Sequence, residues 1–221
     1  MRSALLALPC TIAVLAGCFS TPVRRAPEAG PPPPPEIRAP SPAEQPPPAP
    51  PAPADPTLPT LRDPEIAEFK AAFAGAIAYP RYVLALSPTC SDCVHGIAEF
   101  GKAIADRPDA DLRVLVVWLP VLDSDLGPPE ESARRPLRDP RVTEFWDPDR
   151  HVSPRMIDRA MRLVRAKGEE PDFDADVIAW DVAMYFPAGA AWEDPFPTPA
   201  WSDAPVELAV PRVKRALASK R

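Results

Sequence analysis

Four cysteines, Cys10, Cys18, Cys90 and Cys93, carry the widest chemical range in this chain. Two of them fall in "SPTCSDCVHG", Ser87 to Gly96, with two residues between them and His95 close behind. Cysteines three apart in the first turn of a helix can bring their sulfurs together, and the free N–H groups and positive dipole end there favour a thiolate on Cys90. A thiolate attacks a disulfide, and a neighbouring thiol resolves the mixed disulfide that forms. Two other chemistries fit the same residues. The pair can form a bridge that only staples a turn, or two thiolates can join His95 or His151 as a soft set of ligands for Cu(I) or Zn(II).

The flanking sequence must place that turn. "RYVLAL" before it is a short, mostly apolar run between Pro80 and Pro88, which reads as a buried strand. "CSDCVHGIAEFGKAIADRP" has Val94, Ile97, Ala98 and Ile104 at helical spacing and ends at Pro108. "DLRVLVVWLPVL" is rich in β-branched residues and reads as a second buried strand. Strand, helix and strand make a βαβ unit with parallel strands. Upstream, "DPEIAEFKAAFAGAI" predicts a helix capped by Asp63, with Pro64 in its first turn and Ile66, Phe69, Phe73 and Ile77 facing inward. Downstream, "DSDLGPPEESARRPLRDP" reads as a loop or short helix, and "VTEFWDPDR" as a strand and turn. "SPRMIDRAMRLVRAKG" is a helix capped by Ser153 and ended by Gly168, with Met156, Ala160, Leu163 and Val164 inward. "DVIAWDVAMYFPAGAAW" reads as a strand, a turn at Pro187 to Gly189 and a second strand edge. "PVELAVPRVKRALASKR" reads as a helix interrupted near Pro211.

On the strand "YVLAL", the Cys90-Ser91-Asp92-Cys93 motif and this element order, the chain resembles the thioredoxin superfamily from Asp63 to Leu217. The segment "VTEFWDPDRHVSPRM" is similar to the strand, aspartate turn and helix that membrane-tethered thioredoxin-like proteins and peroxiredoxins insert. The resemblance implies an α/β fold, a thioredoxin-like three-layer α/β/α sandwich around a central mixed sheet. It also implies thiol–disulfide exchange, with Cys90 attacking and Cys93 resolving. Three positions depart from the family. Asp181, preceded by Trp180, stands where the family's cis-proline lies against the sulfurs. Leu84 replaces a buried acid of the first strand, and Thr89 replaces the aromatic residue before the first cysteine. Asp181 beside the sulfurs would disfavour a thiolate, yet could take a proton from Cys93 as a general base. Thr89 and Trp180 are the expected substrate-binding neighbours.

Asp92 bears on direction. A carboxylate between the cysteines opposes the thiolate, and a less stabilised thiolate means a more stable disulfide and a more reducing pair.

The N-terminal sequence assigns the compartment. "ALLALPCTIAVLAG" after Arg2 is an apolar run of signal-peptide length. Its end, Leu15-Ala16-Gly17-Cys18, resembles the lipobox of bacterial lipoproteins, which implies that Cys18 is the lipidated first residue, palmitate included, and that Cys10 is discarded. Phe19 stands where a retention aspartate would be, which implies the outer membrane. Seventeen of the 36 prolines fall between Phe19 and Thr60. Such a segment buries too little surface to offset its ordering entropy and is expected to be a disordered, partly polyproline II tether. At about 3.1 Å per residue it reaches on the order of 100 Å. The expected organisation is signal peptide 1–17, lipidated cysteine and tether 18–60, and thioredoxin-like domain 61–221. The domain would face the periplasm from the cell envelope, where disulfides persist.

The remaining signals narrow the partners. A formal charge of −6 with no basic stripe argues against nucleic acid. Asp172, Asp174 and Asp176 alternate like the start of a calcium loop, but Val177 takes the required glycine's place and Ala183 the twelfth-position carboxylate's. The expected activity is a membrane-anchored thiol–disulfide oxidoreductase of reductase or isomerase type. It would act on protein thiols and disulfides without a cofactor, recharged by a membrane reductant. The alternative is a copper- or zinc-binding module using Cys90, Cys93 and His151, or a purely structural one.

Overall fold

The computed structural model describes residues 58–218; the signal segment, Cys10, Cys18 and the tether up to residue 57 lie outside the described residues. Within them, α1 (Ala67–Gly75) leads into β1 (Arg81–Leu86), α2 (Ser91–Ala105) and β2 (Arg113–Trp118). A short α3 (Glu131–Arg134) and a 3-10 turn (Arg135–Leu137) precede β3 (Val142–Trp146) and α4 (Val152–Ala166). The chain continues through β4 (Val182–Phe186), β5 (Trp201–Asp203) and α5 (Val206–Ala218).

The five strands form one mixed sheet in the order β3-β2-β1-β4-β5. β1 pairs parallel with β2, and β2 with β3. β4 runs antiparallel to β1 and to β5. Alternation along the strands splits the core into two layers. Tyr82, Leu84 and Leu86 of β1, with Val114, Val116 and Trp118 of β2, face α2 and α5. Val83 and Ala85, with Leu115 and Val117, face Phe69, Phe73 and Met156 of α1 and α4. The central strand is buried on both faces, which is why it reads as an unbroken apolar run. Helices on both faces of this mixed sheet make a three-layer α/β/α sandwich.

Several local expectations change. Asp63 accepts the Glu65 and Ala67 N–H groups, but Ile66 sits at φ 50, so α1 begins only at Ala67. Ile77 lies beyond its end and is 43% exposed. In α2 the buried face is Cys93, Ile97, Phe100 and Ile104, with Val94 and Ala98 turned to solvent. Ser153 does not cap α4. Asp147 does, accepting the His151 and Val152 N–H groups at 2.9 and 2.8 Å, while the Ser153 hydroxyl accepts the Ala179 N–H. Residues 176–180 form no strand; the strand starts at Val182 and its partner β5 comes only at Trp201. α5 runs through Pro211, which points to solvent while Val206, Ala209, Val210, Val213 and Leu217 dock on the sheet. The packed fold also starts before Leu61. Leu58 is buried, and the Trp146 N–H and carbonyl pair with Pro59 and Leu61 along the β3 edge.

α2, which carries the cysteines, is fixed by close approach. A Cβ at Gly101 would overlap the Pro136 carbonyl, and one at Gly96 would press on Val206 and the Glu207 N–H. Neither backbone neighbour can rotate away. Gly101→Ala should therefore destabilise the domain by about 2–3 kcal/mol, measured by urea unfolding. An unchanged midpoint would mean that α2 can shift freely.

Candidate active site

β1 ends at Leu86, and its direction along the sheet fixes where the next residues emerge. Ser87, Pro88 and Thr89 turn the chain at the edge of the β1–β2 pair, and Cys90 becomes the N-cap of α2. Its backbone is extended (φ −72, ψ 119) and its sulfur accepts the Cys93 N–H at 3.3 Å. An N-cap sulfur holding one of the four unpaired amides of a 15-residue helix sits where that helix favours negative charge.

Cys93 lies one turn in, wholly buried, and Cys90 is 6% exposed. Both are free thiols. Burial pushes the Cys93 thiol well up. A hydrogen bond from the Ser87 backbone opposes this, while the Cys90 side chain and the Asp181 carboxylate push it higher. The two cysteines are thus inequivalent: Cys90 caps the helix with only a sliver of its surface exposed, and Cys93 lies wholly buried and holds its proton.

Asp181 comes from the far side of the sheet order, immediately before β4. It is buried to 9% exposure, and its carboxylate lies with both sulfurs, the three donor atoms within 4.8 Å of one another. β4 pairs with β1 from Val182↔Ala85 onward, so the residue before Val182 falls opposite the turn that leaves β1. Asp181 sits at φ 49, a left-handed conformation that costs a non-glycine residue about 1 kcal/mol and that aspartate tolerates better than most. Its Oδ1 accepts the Val206 N–H at 3.1 Å, which ties the carboxylate to the first residue of α5. Trp180 packs partly buried against the core cluster that includes Cys90 and Cys93.

Thr89 is exposed, but its hydroxyl is engaged. It donates to Asp125 Oδ1 at 2.7 Å and pairs with the Ser124 hydroxyl, and the Thr89 N–H also reaches Asp125 Oδ1. Asp125, in the loop after β2, was not singled out from the sequence, yet it organises the whole approach to the cysteines. Its Oδ2 accepts from the Ser87 hydroxyl and from the Val121 and Leu122 amides at 2.7–2.9 Å. The signal lies in "LDSDLG": two acids and a serine directly after a buried strand that pairs with the cysteine-bearing one.

Burial alone would raise the Asp125 carboxyl. The amides of Val121 and Leu122 and the hydroxyls of Thr89 and Ser87 outweigh it, and the net shift is downward from 3.8. Its stabilisation is therefore fully present above the unfolded-state value and is lost as pH falls through the lower folded-state one. Asp125→Ala strands several buried donors and should cost about 3 kcal/mol at neutral pH. The loss should shrink as pH falls below the ordinary carboxylate range and Asp125 takes up its proton, as denaturation curves at neutral and acid pH would show; a pH-independent loss would contradict a charged role.

The histidines stand apart. His95 is exposed on α2, its Nε2 3.7 Å from Glu207, and His151 begins α4 beside Asp149. Neither belongs to the group formed by the sulfurs and Asp181, so His151 does not join Cys90 and Cys93 in the alternative ligand set. Asp172, Asp174 and Asp176 lie on an exposed turn. Trp118 and Trp146 are core, Trp192 joins the Phe69–Phe73–Phe196 cluster, and Trp201 stacks on Tyr185. Among the described residues, no helix is long and apolar enough to cross a membrane.

No protein family and no curated protein matches the chain in sequence. Among solved structures, the chain is similar to the solution structure of a thioredoxin-like protein in the oxidized form, at 17% identity and a TM-score of 0.39, over 65% of this chain and 80% of that one.

Proposed function

We propose that this chain is a thiol–disulfide oxidoreductase of the reductase or isomerase type, anchored to the outer membrane through a lipidated Cys18 and facing the periplasm on its proline-rich tether. The observation that carries the reading is the inequivalence of two adjacent free thiols, one capping a helix and one buried beside a carboxylate.

The steps balance as follows. Cys90 Sγ, as thiolate, attacks one sulfur of a client disulfide; a Cys90–client disulfide forms, and the client's other sulfur leaves and takes up a proton. Cys93 passes its proton to Asp181 and attacks Cys90 Sγ; the Cys90–client bond breaks, and the leaving client sulfur takes up the proton that Asp181 gives back. The pair ends as a disulfide, the client gains two electrons and two protons, and a dithiol partner at the membrane later restores the pair. Asp181 suits the second step because its carboxylate lies beside a thiol that burial keeps protonated. The direction follows from the same electrostatics. Asp181, and Asp92 at the helix start, oppose charge on the sulfurs, so the dithiol gains little from ionisation and the pair leans toward giving electrons away.

Thr89, next to Cys90 in the chain, and Trp180, packed partly buried on the core cluster that holds both cysteines, supply the surface that a client strand would meet. The reading is tested by single-turnover exchange of the reduced protein with an oxidised protein client. Asp181→Asn should leave the first step within about threefold and slow resolution by about 10²-fold, since a positioned base contributes that order of rate. Equal rates in both steps would remove Asp181 from the mechanism.

A further inference from the structure

Beyond exchange, the reduced site has the donors of a metal centre of a different composition from the one the sequence suggested. We propose that reduced Cys90, Cys93 and Asp181 form a zinc site, two thiolates and one carboxylate, with the fourth position open to water or a client thiol. Three features of the chain carry this. The donor atoms already lie within 4.8 Å of one another. Tetrahedral zinc, with bonds of about 2.3 Å to sulfur and 2.0–2.2 Å to oxygen, asks for separations of roughly 3.5–3.8 Å, so a small contraction closes the set.

The carboxylate is held in place from outside the site. Asp181 Oδ1 takes the Val206 N–H, the kind of outer hydrogen bond that orients a ligand and lowers the cost of assembling the centre. All three ligands are buried, at 6%, 0% and 9% exposure. A divalent ion offsets the charge that the donor set acquires when the thiols give up their protons to bind it. The mixed sulfur–oxygen set favours Zn(II) over Cu(I), which prefers sulfur alone.

Binding converts two thiols to thiolates and releases two protons per zinc, with no change of oxidation state. Because both sulfurs are engaged, the metal-bound form cannot attack a disulfide. Zinc would hold the dithiol reduced and inactive until it is removed.

The test uses the full chain, reduced with a non-thiol phosphine and titrated with Zn(II) against a chromophoric chelator. One zinc per chain is expected, with binding abolished in Cys90→Ser and Cys93→Ser, weakened at least about tenfold in Asp181→Asn, and unchanged in His151→Ala. Asparagine keeps an acceptor for the Val206 N–H, and thermal unfolding checks that the variant is folded. Should it not fold, Co(II) loaded into the unmodified chain gives a second reading, with charge-transfer absorption of two thiolates expected. Half a zinc per chain, undiminished affinity in Asp181→Asn, loss in His151→Ala, or no competition with the chelator would each overturn the proposal. Zinc affinity is read without a client and exchange is read in the presence of a chelator, so the failure of one leaves the other standing.

Discussion

Cys93→Ser, reduced and mixed with oxidised protein clients, is expected to accumulate a mixed disulfide through Cys90 that resists release until external thiol is added. The unmodified chain should show the same adduct only transiently, and Cys90→Ser should show none. Multiple-turnover exchange should fall by about 10²-fold or more in either variant, because a covalent intermediate that cannot form or cannot resolve stops the cycle. Serine is close to cysteine in size and its hydroxyl has a carboxylate acceptor nearby in Asp181, so the fold should survive. Non-reducing electrophoresis with peptide mapping checks the result. Adducts through Cys93 instead would reverse the assigned roles and contradict its burial.

The second large effect concerns stability. Arg81, the first residue of β1, is fully buried. Its Nη1 donates to the Phe73 carbonyl at 2.8 Å, and its Nη2 to the carbonyls of Ala190 at 2.6 Å and Pro187 at 3.3 Å, while the guanidinium lies 4.1 Å over the Phe73 ring. It thus ties the end of α1 and the turn after β4 to the strand that delivers the cysteines. Burial lowers its pKa, the mark of a charge held away from water, and here carbonyl dipoles and a ring face compensate it. Arg81→Met keeps length and apolar volume but removes the guanidinium bonds to the Phe73 and Ala190 carbonyls, while the Pro187 carbonyl keeps the Ala190 N–H. We expect a loss of about 3–5 kcal/mol, a large share of the roughly 5–15 kcal/mol available to a domain. Arg81→Lys should recover little, since one ammonium cannot reproduce a planar fork across three acceptors. Chemical denaturation measures both. A loss below 1 kcal/mol in Arg81→Met would mean that water replaces the guanidinium.

The strand–turn–helix–strand unit around the cysteines was legible in the sequence because β1 and β2 are buried on both faces and therefore read as unbroken apolar runs between turn-formers. The position of Asp181 was legible too, since β4 carries its turn residues Pro187 to Gly189 at a fixed distance downstream. What did not show was set by contacts distant in sequence. Asp125 pairs with Ser87 and Thr89 only because β1 and β2 lie side by side. Ile97 and Ile104 of α2 face the core as their spacing suggests, but Val94 and Ala98 do not: the buried face runs through Cys93, Gly96 and Phe100, with Val206 and the Glu207 N–H of α5 close against Gly96. β5 is three residues long and owes its place to pairing with β4 rather than to any alternation of its own.

The same geometry explains why His151 could be mistaken for a ligand. Residue type alone makes it a candidate, but it follows β3, which is separated from β1 by β2, whereas Asp181 arrives just before the strand that pairs with β1 directly. Strand order, rather than residue type, decides which donor meets the sulfurs.

The most direct test of the central claim is mass analysis of the unmodified chain after exposure, fully reduced and free of metal, to an equimolar oxidised protein client. Exchange through this pair predicts a chain lighter by two hydrogens, with the new bond mapped to Cys90 and Cys93 and one client disulfide opened for each chain oxidised. A client that is reduced while Cys90 and Cys93 remain thiols, or a pair that stays reduced beside an intact client, would contradict it.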